Sequence, residues 1–205
     1  STASVYGNSK KDKVSENDKL NPLNPYALSK LNVEKFIMEE SKKLPIQYSI
    51  LRYFNVAGSD KKMRSGLISH DATHLIKIIS EVAVGKRNKI SIYGKDYDTH
   101  DGTAIRDFIH ISDLADIHLV VAKYLLDNKK TNIFNCGYGK GYSVLDIIKA
   151  ANKITNNKIK YDFSDRRDGD PEQLVANVDK IKKHINWEPG YNDLNTIIQS
   201  AIDWE

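Results

Sequence analysis

One cysteine stands in 205 residues, so no internal disulfide framework can staple this chain, and a reducing, cytoplasmic setting is expected. No stretch approaches the roughly 18 continuous apolar residues of a membrane span, and no signal peptide heads the chain, so no membrane partner is expected. Internal repeats and low-complexity tracts are missing. So is the Gly-x-Ser-x-Gly elbow that presents a hydrolase serine. Charge of one sign is not in large excess either. Thirty-one basic residues are answered by 27 acidic ones, leaving a net +4. The basic clusters KKDK (10–13), DKKMR (60–64) and IKKH (181–184) lie apart, without interleaved aromatics. They read as solvated faces rather than a nucleic-acid surface.

What is present is an alternation of strand-like and helix-like segments. Residues 8–23 are polar and read as an exposed loop. From Pro25 to Lys43 the pattern is helical, with Leu28, Leu31 and Phe36 near a 3.6-residue period, and Pro45 stops it. IQYSILRYFNVAG (46–58) reads as one buried strand ending in a loop, 59–70 as a polar loop, and 72–85 as an amphipathic helix closed by Gly85. Strands are expected at 90–94, 106–111, 131–137 and 159–163, and helices at 114–127, 144–155, 178–185 and 193–204. Asp113 and Ser143 are the expected N-caps. This order predicts an α/β fold with a largely parallel sheet.

Tyr26 and Lys30, in NPYALSK (24–30), stand at i, i+4 in the first predicted helix and so share a face. A lysine ammonium beside a phenol favours the phenolate, and a tyrosine so placed can act as a general base. The spacing alone is not specific. Eleven tyrosines are present, and Tyr6 and Lys10 repeat the spacing in a segment whose Gly, Asn and Ser disfavour a helix. An exposed helix pair is the plain alternative.

Context narrows the choice. STASVYG (1–7), NPYALSK (24–30) and LRYFNVAG (51–58) resemble, in order and spacing, the extended short-chain dehydrogenase/reductase family, most closely its sugar-nucleotide 4-epimerases. HLI (74–76), residues 93–116, NCGYGKGYSV (135–144) and RRDGD (166–170) continue the resemblance along the chain. It implies the C-terminal part of a Rossmann-type parallel-sheet domain plus a small α/β substrate-binding domain. The first takes 1–58 and about 107–142, the second about 59–106 and 143–205. A glycine-rich dinucleotide turn is expected upstream of Ser1, so that these 205 residues are a fragment inactive alone.

The implied activity is NAD-dependent interconversion of UDP-glucose and UDP-galactose, through oxidation to a 4-keto sugar, rotation and re-reduction. The resemblance makes Thr2, Tyr26 and Lys30 catalytic, with Tyr26, Lys30, Tyr53 and Phe54 toward the NAD cofactor. Toward the UDP-sugar it places Asn55, His74, Leu75, Ser91, Tyr93, Arg106, Arg167, Asp170 and Leu174. Arg106 and Arg167 would grip the diphosphate, Ser91 and Tyr93 the uracil, and Asp170 the ribose. Leu174 would stand beside the C2 substituent of the sugar. A homodimer built on helix 25–43 is implied as well. Ala3 and Ser4 stand where related dehydratases and decarboxylases carry acidic residues, which favours epimerisation. A related dehydratase or decarboxylase, or a non-catalytic nucleotide- or partner-binding remnant, remains the alternative.

Other signals point elsewhere. His70 and His74 share a metal-helix spacing, but the Glu of the zinc-protease motif is missing between them, so no metal is expected. GYGKG (137–141) resembles a phosphate cradle but reads as a connecting turn. His110 and His118 are expected in or beside the core, and Trp187 and Trp204 as packing anchors.

Overall fold

The computed structural model describes residues 1–69, 71–128 and 130–205. After a short 3₁₀ turn (Ala3–Tyr6), helix α1 spans Pro25–Glu40. Its start is chemically defined: Pro25 occupies the first turn, and the Asn24 side chain accepts the Ala27 N–H at 2.8 Å. It ends at Glu40, before the expected Lys43, so Pro45 lies beyond the helix rather than terminating it. The predicted strand 46–58 is two strands, β1 (Ser49–Tyr53) and β2 (Asn55–Ala57), which pair with different partners. Then come α2 (Leu75–Ala83), β3 (Ile90–Tyr93), β4 (Ile105–His110) and α3 (Ile111–Asn128). β5 (Asn132–Cys136), β6 (Gly141–Ser143), α4 (Val144–Thr155), β7 (Tyr161–Ser164), β8 (Gln173–Leu174), α5 (Asp179–His184) and α6 (Leu194–Trp204) complete the chain.

Parallel pairing dominates, as the alternation predicted. β1 pairs with β5, β2 with β4, β3 with β7 and β4 with β8, all parallel, while β6 runs antiparallel to β4. Two apolar clusters fill the fold. One gathers Leu31, Leu51, Ile109, Ile117 and Phe134 between α1, α3 and the β1–β5 pair. The other gathers Ile79, Ile92, Phe108, Ile148 and Ile197 among α2, α4 and α6. Among the described residues no helix is long and apolar enough to cross a membrane.

Local capping chemistry is legible at α4. Ser143 accepts the Asp146 N–H at 2.9 Å and Asp146 accepts the Ser143 N–H at 3.1 Å, a complete capping box. At α3 the expected cap is corrected. The helix begins directly after β4, and Asp113 lies inside its first turn, buried. Its carboxylate accepts the N–H groups of Gly190 and Tyr191 at 2.9 and 3.0 Å and the Tyr138 hydroxyl. The His110 ring takes the capping role, accepting the Ser112 N–H on Nδ1 at 3.1 Å. The loop 8–23 is not wholly exposed, because Val14 is buried and bridges to Ala176. His118, expected in or beside the core, is exposed on α3. Trp187 packs against the first cluster.

A buried polar network ties α1 to the sheet. Arg52 on β1 forks onto Glu34 on α1, with Nε to Oε1 at 3.0 Å and Nη2 to Oε2 at 2.7 Å. Its Nη1 donates to the Tyr6 hydroxyl at 2.9 Å, which donates to Asn135 Oδ1 at 2.6 Å. Burial pushes the Tyr6 phenol up to about 12, so it stays protonated and can play both parts. Removing one partner leaves a buried charge uncompensated, which costs about 3–5 kcal/mol. Arg52→Met is therefore expected to lose about that much stability in urea unfolding. Arg52→Met combined with Glu34→Leu should lose less than the single variant. Losses that simply add would show that the pair is not a coupled unit.

The GYGKG turn wraps a carboxylate. Asp107 accepts the N–H groups of Tyr138 and Gly139 at 2.9 and 2.8 Å and that of Ala176 at 3.2 Å. Gly137 is required there, since a Cβ would meet Asp107 Oδ2 at 2.7 Å. Loss of hydration pushes the Asp107 carboxyl up to about 6, against the pull of these donors. The folded protein thus holds this proton more tightly than the unfolded chain. The resulting stability is full below the ordinary carboxyl range and is lost as pH rises through about 6. Asp107→Asn should destabilise the fold, and its urea midpoint should approach the parent's between pH 4 and pH 7. A gap that widens with pH contradicts this assignment.

Candidate active site

The catalytic candidates gather at the C-terminal end of β1, the end at which open α/β sheets bind ligands. Thr2 is buried and forms a parallel bridge with Tyr53. Its Oγ1 accepts the Ser4 N–H at 3.2 Å, which fixes the hydroxyl at the head of the 3₁₀ turn. Tyr26 lies in the first turn of α1, 55% exposed, and the Lys30 ammonium stands 5.6 Å from its ring centroid. The i, i+4 pair is therefore real, and it faces outward from the described fold. Glu34 continues the same stripe one turn further, so the Arg52 fork sets the rotation of the helix that carries both residues.

Tyr53 is half-buried. Burial holds its phenol above the ordinary range, with smaller contributions from Cys136 and Tyr26, so the two tyrosines are neighbours. The Tyr53 hydroxyl is 2.7 Å from His118 Nε2, and His118 Nδ1 is 2.7 Å from the Leu114 carbonyl. That carbonyl can only accept, so Nδ1 carries the proton and Tyr53 donates to Nε2. Phe54 is buried, and its N–H donates to the Cys136 carbonyl at 3.0 Å.

Asn55 follows directly and opens a cavity of ≈ 210 Å³. His74 and Leu75, at the start of α2, line it with Ser91 and Tyr93 from β3. Arg106, Arg167 and Asp170 line it too. Eight of the nine positions singled out for a nucleotide sugar thus meet in one cavity. Leu174 is not brought into this set. It is 5% exposed on β8, in register with Arg106, and packs in the first apolar cluster. His70 lies outside the described residues, so its spacing to His74 has no structural counterpart. Residues not foreseen complete the wall. Phe108 is two residues beyond Arg106 on β4, so strand alternation could have flagged it. Tyr142, opposite Arg106 on three-residue β6, carried no comparable signal.

The two arginines differ. Arg106 is engaged: Nη2 donates to Asp170 and, at 2.5 Å, to the Pro171 carbonyl, while Nη1 donates to the Ile105 carbonyl at 2.8 Å. Arg167 stacks on Tyr93, its Cζ 3.6 Å from the ring centroid. A neighbouring cavity of ≈ 320 Å³ shares Asn55, His74, Leu75 and Phe108, and is otherwise walled by groups such as Val56, Leu67 and Trp204. Lys77 and Glu205, which also line the larger cavity, pair with each other, whereas the smaller cavity carries two arginines against one carboxylate, which makes it the better candidate for an anionic ligand.

Comparison with known proteins identifies the family. Residues 1–137 match the model of the NAD dependent epimerase/dehydratase family. The chain is 42% identical over 205 residues to UDP-glucose 4-epimerase of Azospirillum brasilense, covering all of this chain and 59% of that protein. It is 41% identical over 204 residues to the enzyme of the same name from Streptococcus mutans, covering 61% of it. Among solved structures, UDP-glucose 4-epimerase from Stenotrophomonas maltophila, with bound NAD and formylated UDP-arabinopyranose, superposes with a TM-score of 0.95 at 31% identity. It is matched over 100% of this chain and 61% of that one. The UDP-Glc/GlcNAc 4-epimerase of Campylobacter jejuni is 45% identical with a TM-score of 0.80, over 100% and 62% of the two chains. The chain thus spans about 60% of the length of these relatives. With its fold and its matched family model in agreement, the chain belongs to the NAD dependent epimerase/dehydratase family.

Proposed function

We propose that the full-length protein is a cytoplasmic enzyme that interconverts UDP-glucose and UDP-galactose at C4 of the hexose. The observation that carries this reading is the meeting of Asn55, His74, Ser91, Arg106, Arg167 and Asp170 in one cavity, with Asn55 two residues along the chain from Tyr53, which bridges to Thr2. The relatives named for this activity, and their structures with NAD, support it.

NAD, when bound, would accept and return the C4 hydride. Tyr26 and Lys30, which face outward on α1, and Tyr53, at the C-terminal end of β1, fit as residues that would hold it, while Phe54, buried in the first apolar cluster, would back them from behind. Thr2 presents a fixed hydroxyl to the sugar O4, which orients that group. Tyr26 takes the O4 proton as a phenolate, holds it as the neutral phenol while the sugar is a ketone and then gives it back, and the Lys30 ammonium favours the phenolate before the first event and after the second. The diphosphate lies on the arginine side of the cavity, with Ser91 toward the uracil. The sugar can then turn over while its nucleotide stays anchored. Ala3 and Ser4 supply no carboxylate beside the reacting carbon, which supports epimerisation over elimination.

In the full-length enzyme Tyr26→Phe should reduce turnover of UDP-galactose by roughly 10²–10⁴-fold, the range for a positioned acid–base group. Calorimetry should find UDP affinity nearly unchanged. Wild-type turnover by Tyr26→Phe would remove Tyr26 from the chemistry and sink the mechanism.

We further propose a homodimer built on α1. Leu31 is buried, whereas Leu28 and Phe36 are 49% and 66% exposed, so the helix presents apolar side chains away from its own sheet. Sedimentation of the full-length protein at micromolar concentration should give a dimer, and Phe36→Glu should shift it toward monomer. A parent that sediments as a monomer contradicts the proposal.

A further inference from the structure

Three arginines stand near the nucleotide cavity, and their charges are answered differently. Arg106 pairs with Asp170, and its donors also engage three main-chain carbonyls. Arg166 pairs with Asp96 at 2.8 Å while lying 4.1 Å above the Tyr97 ring. Arg167 has the aromatic partner without the carboxylate. It lies on Tyr93, and among the described residues no acidic group is within salt-bridge distance of its guanidinium. At 3.6 Å the Cζ lies over the ring at stacking distance, an arrangement in which a planar guanidinium keeps its N–H fork free around its edge.

We propose that Tyr93 is a positioning residue for Arg167: it holds the guanidinium flat so that the unpaired N–H fork is presented to the diphosphate. This rests on the UDP-sugar reading above and refines the expectation that Tyr93 cradles the base. Tyr93 is suited to the task because it ends β3, in register with Ser164 of β7, and the next residue's N–H donates to the Ser164 carbonyl at 2.9 Å. Arg167 sits on the exposed loop that follows β7, where a five-donor side chain without an anchor would lose rotamer freedom on every binding event. Stacking restricts that freedom beforehand and leaves the donors available. Arg106, by contrast, serves as the inner wall, since its guanidinium already closes the Asp170–Glu172 segment onto β4.

The test uses the full-length protein, with UDP measured by calorimetry and uridine by chemical-shift titration. Tyr93→Leu and the exposed-site variant Arg167→Lys, which keeps the charge but not the planar stack, should each weaken UDP about 3- to 30-fold. Neither should change uridine affinity, and Tyr93→Phe should bind UDP as the parent does. The double variant Tyr93→Leu with Arg167→Lys should be no weaker than the weaker single variant, because both remove one stack. Equal losses for UDP and uridine in Tyr93→Leu would mean that the ring stacks on the base, and would overturn the proposal. Additive losses would overturn it too. A full-length parent that binds no UDP would instead refute the nucleotide reading, a failure visible before any substitution is made.

Discussion

A charged guanidinium buried between a helix and a sheet admits few arrangements, and the Arg52–Glu34 fork is one of them. Desolvating two charges is unfavourable unless geometry and further hydrogen bonds compensate. Here the compensation draws in Tyr6, Asn135 and the main chain of Glu16, from three separate segments. The pair therefore acts as a register pin more than as a source of stability. Rotating α1 by one residue would strand Glu34 in apolar surroundings. Because Tyr26 and Lys30 lie on the stripe that Glu34 continues, and Tyr53 follows Arg52 on β1, the same pin sets the spacing of the catalytic candidates.

The cavity beside this group follows a second rule, that buried charges must be answered. Asp107, Asp113 and Arg106 all have their partners within the protein. Asp107 is instructive because the glycine turn around it has the N–H-rich character of a phosphate cradle. Those donors converge on a carboxylate from β4, which occupies the place an anion would take. Arg167 is not bound by this rule, because it lies on an exposed loop; among the described residues it rests on Tyr93 with no acidic group within salt-bridge distance.

Some of the fold was legible because its causes are local. The Ser143–Asp146 capping box lies within four residues, and so does the Asn24–Pro25 start of α1. The Tyr26–Lys30 contact needs only a helix. The segment 46–58 was misread as one strand because nothing in it announces that its halves pair with β5 and β4, more than fifty residues onward. Asp113 looked like a cap since its true partners, the N–H groups of Gly190 and Tyr191, are remote. β6 and β8, of three and two residues, are too short for any periodicity to reveal.

From the sequence alone come the α/β alternation, the tyrosine–lysine stripe and the family resemblance. It also singles out nine candidate positions for a nucleotide sugar, eight of which meet in one cavity. Only the tertiary structure decided which of them have open valences. It placed Leu174 in the apolar core, closed Arg106 onto Asp170 and laid Arg167 on Tyr93, with no acidic partner among the described residues. The division has a physical reason. Helix periodicity and capping act across three or four residues and are written in the chain, whereas charge compensation and burial depend on groups that meet only when distant strands align.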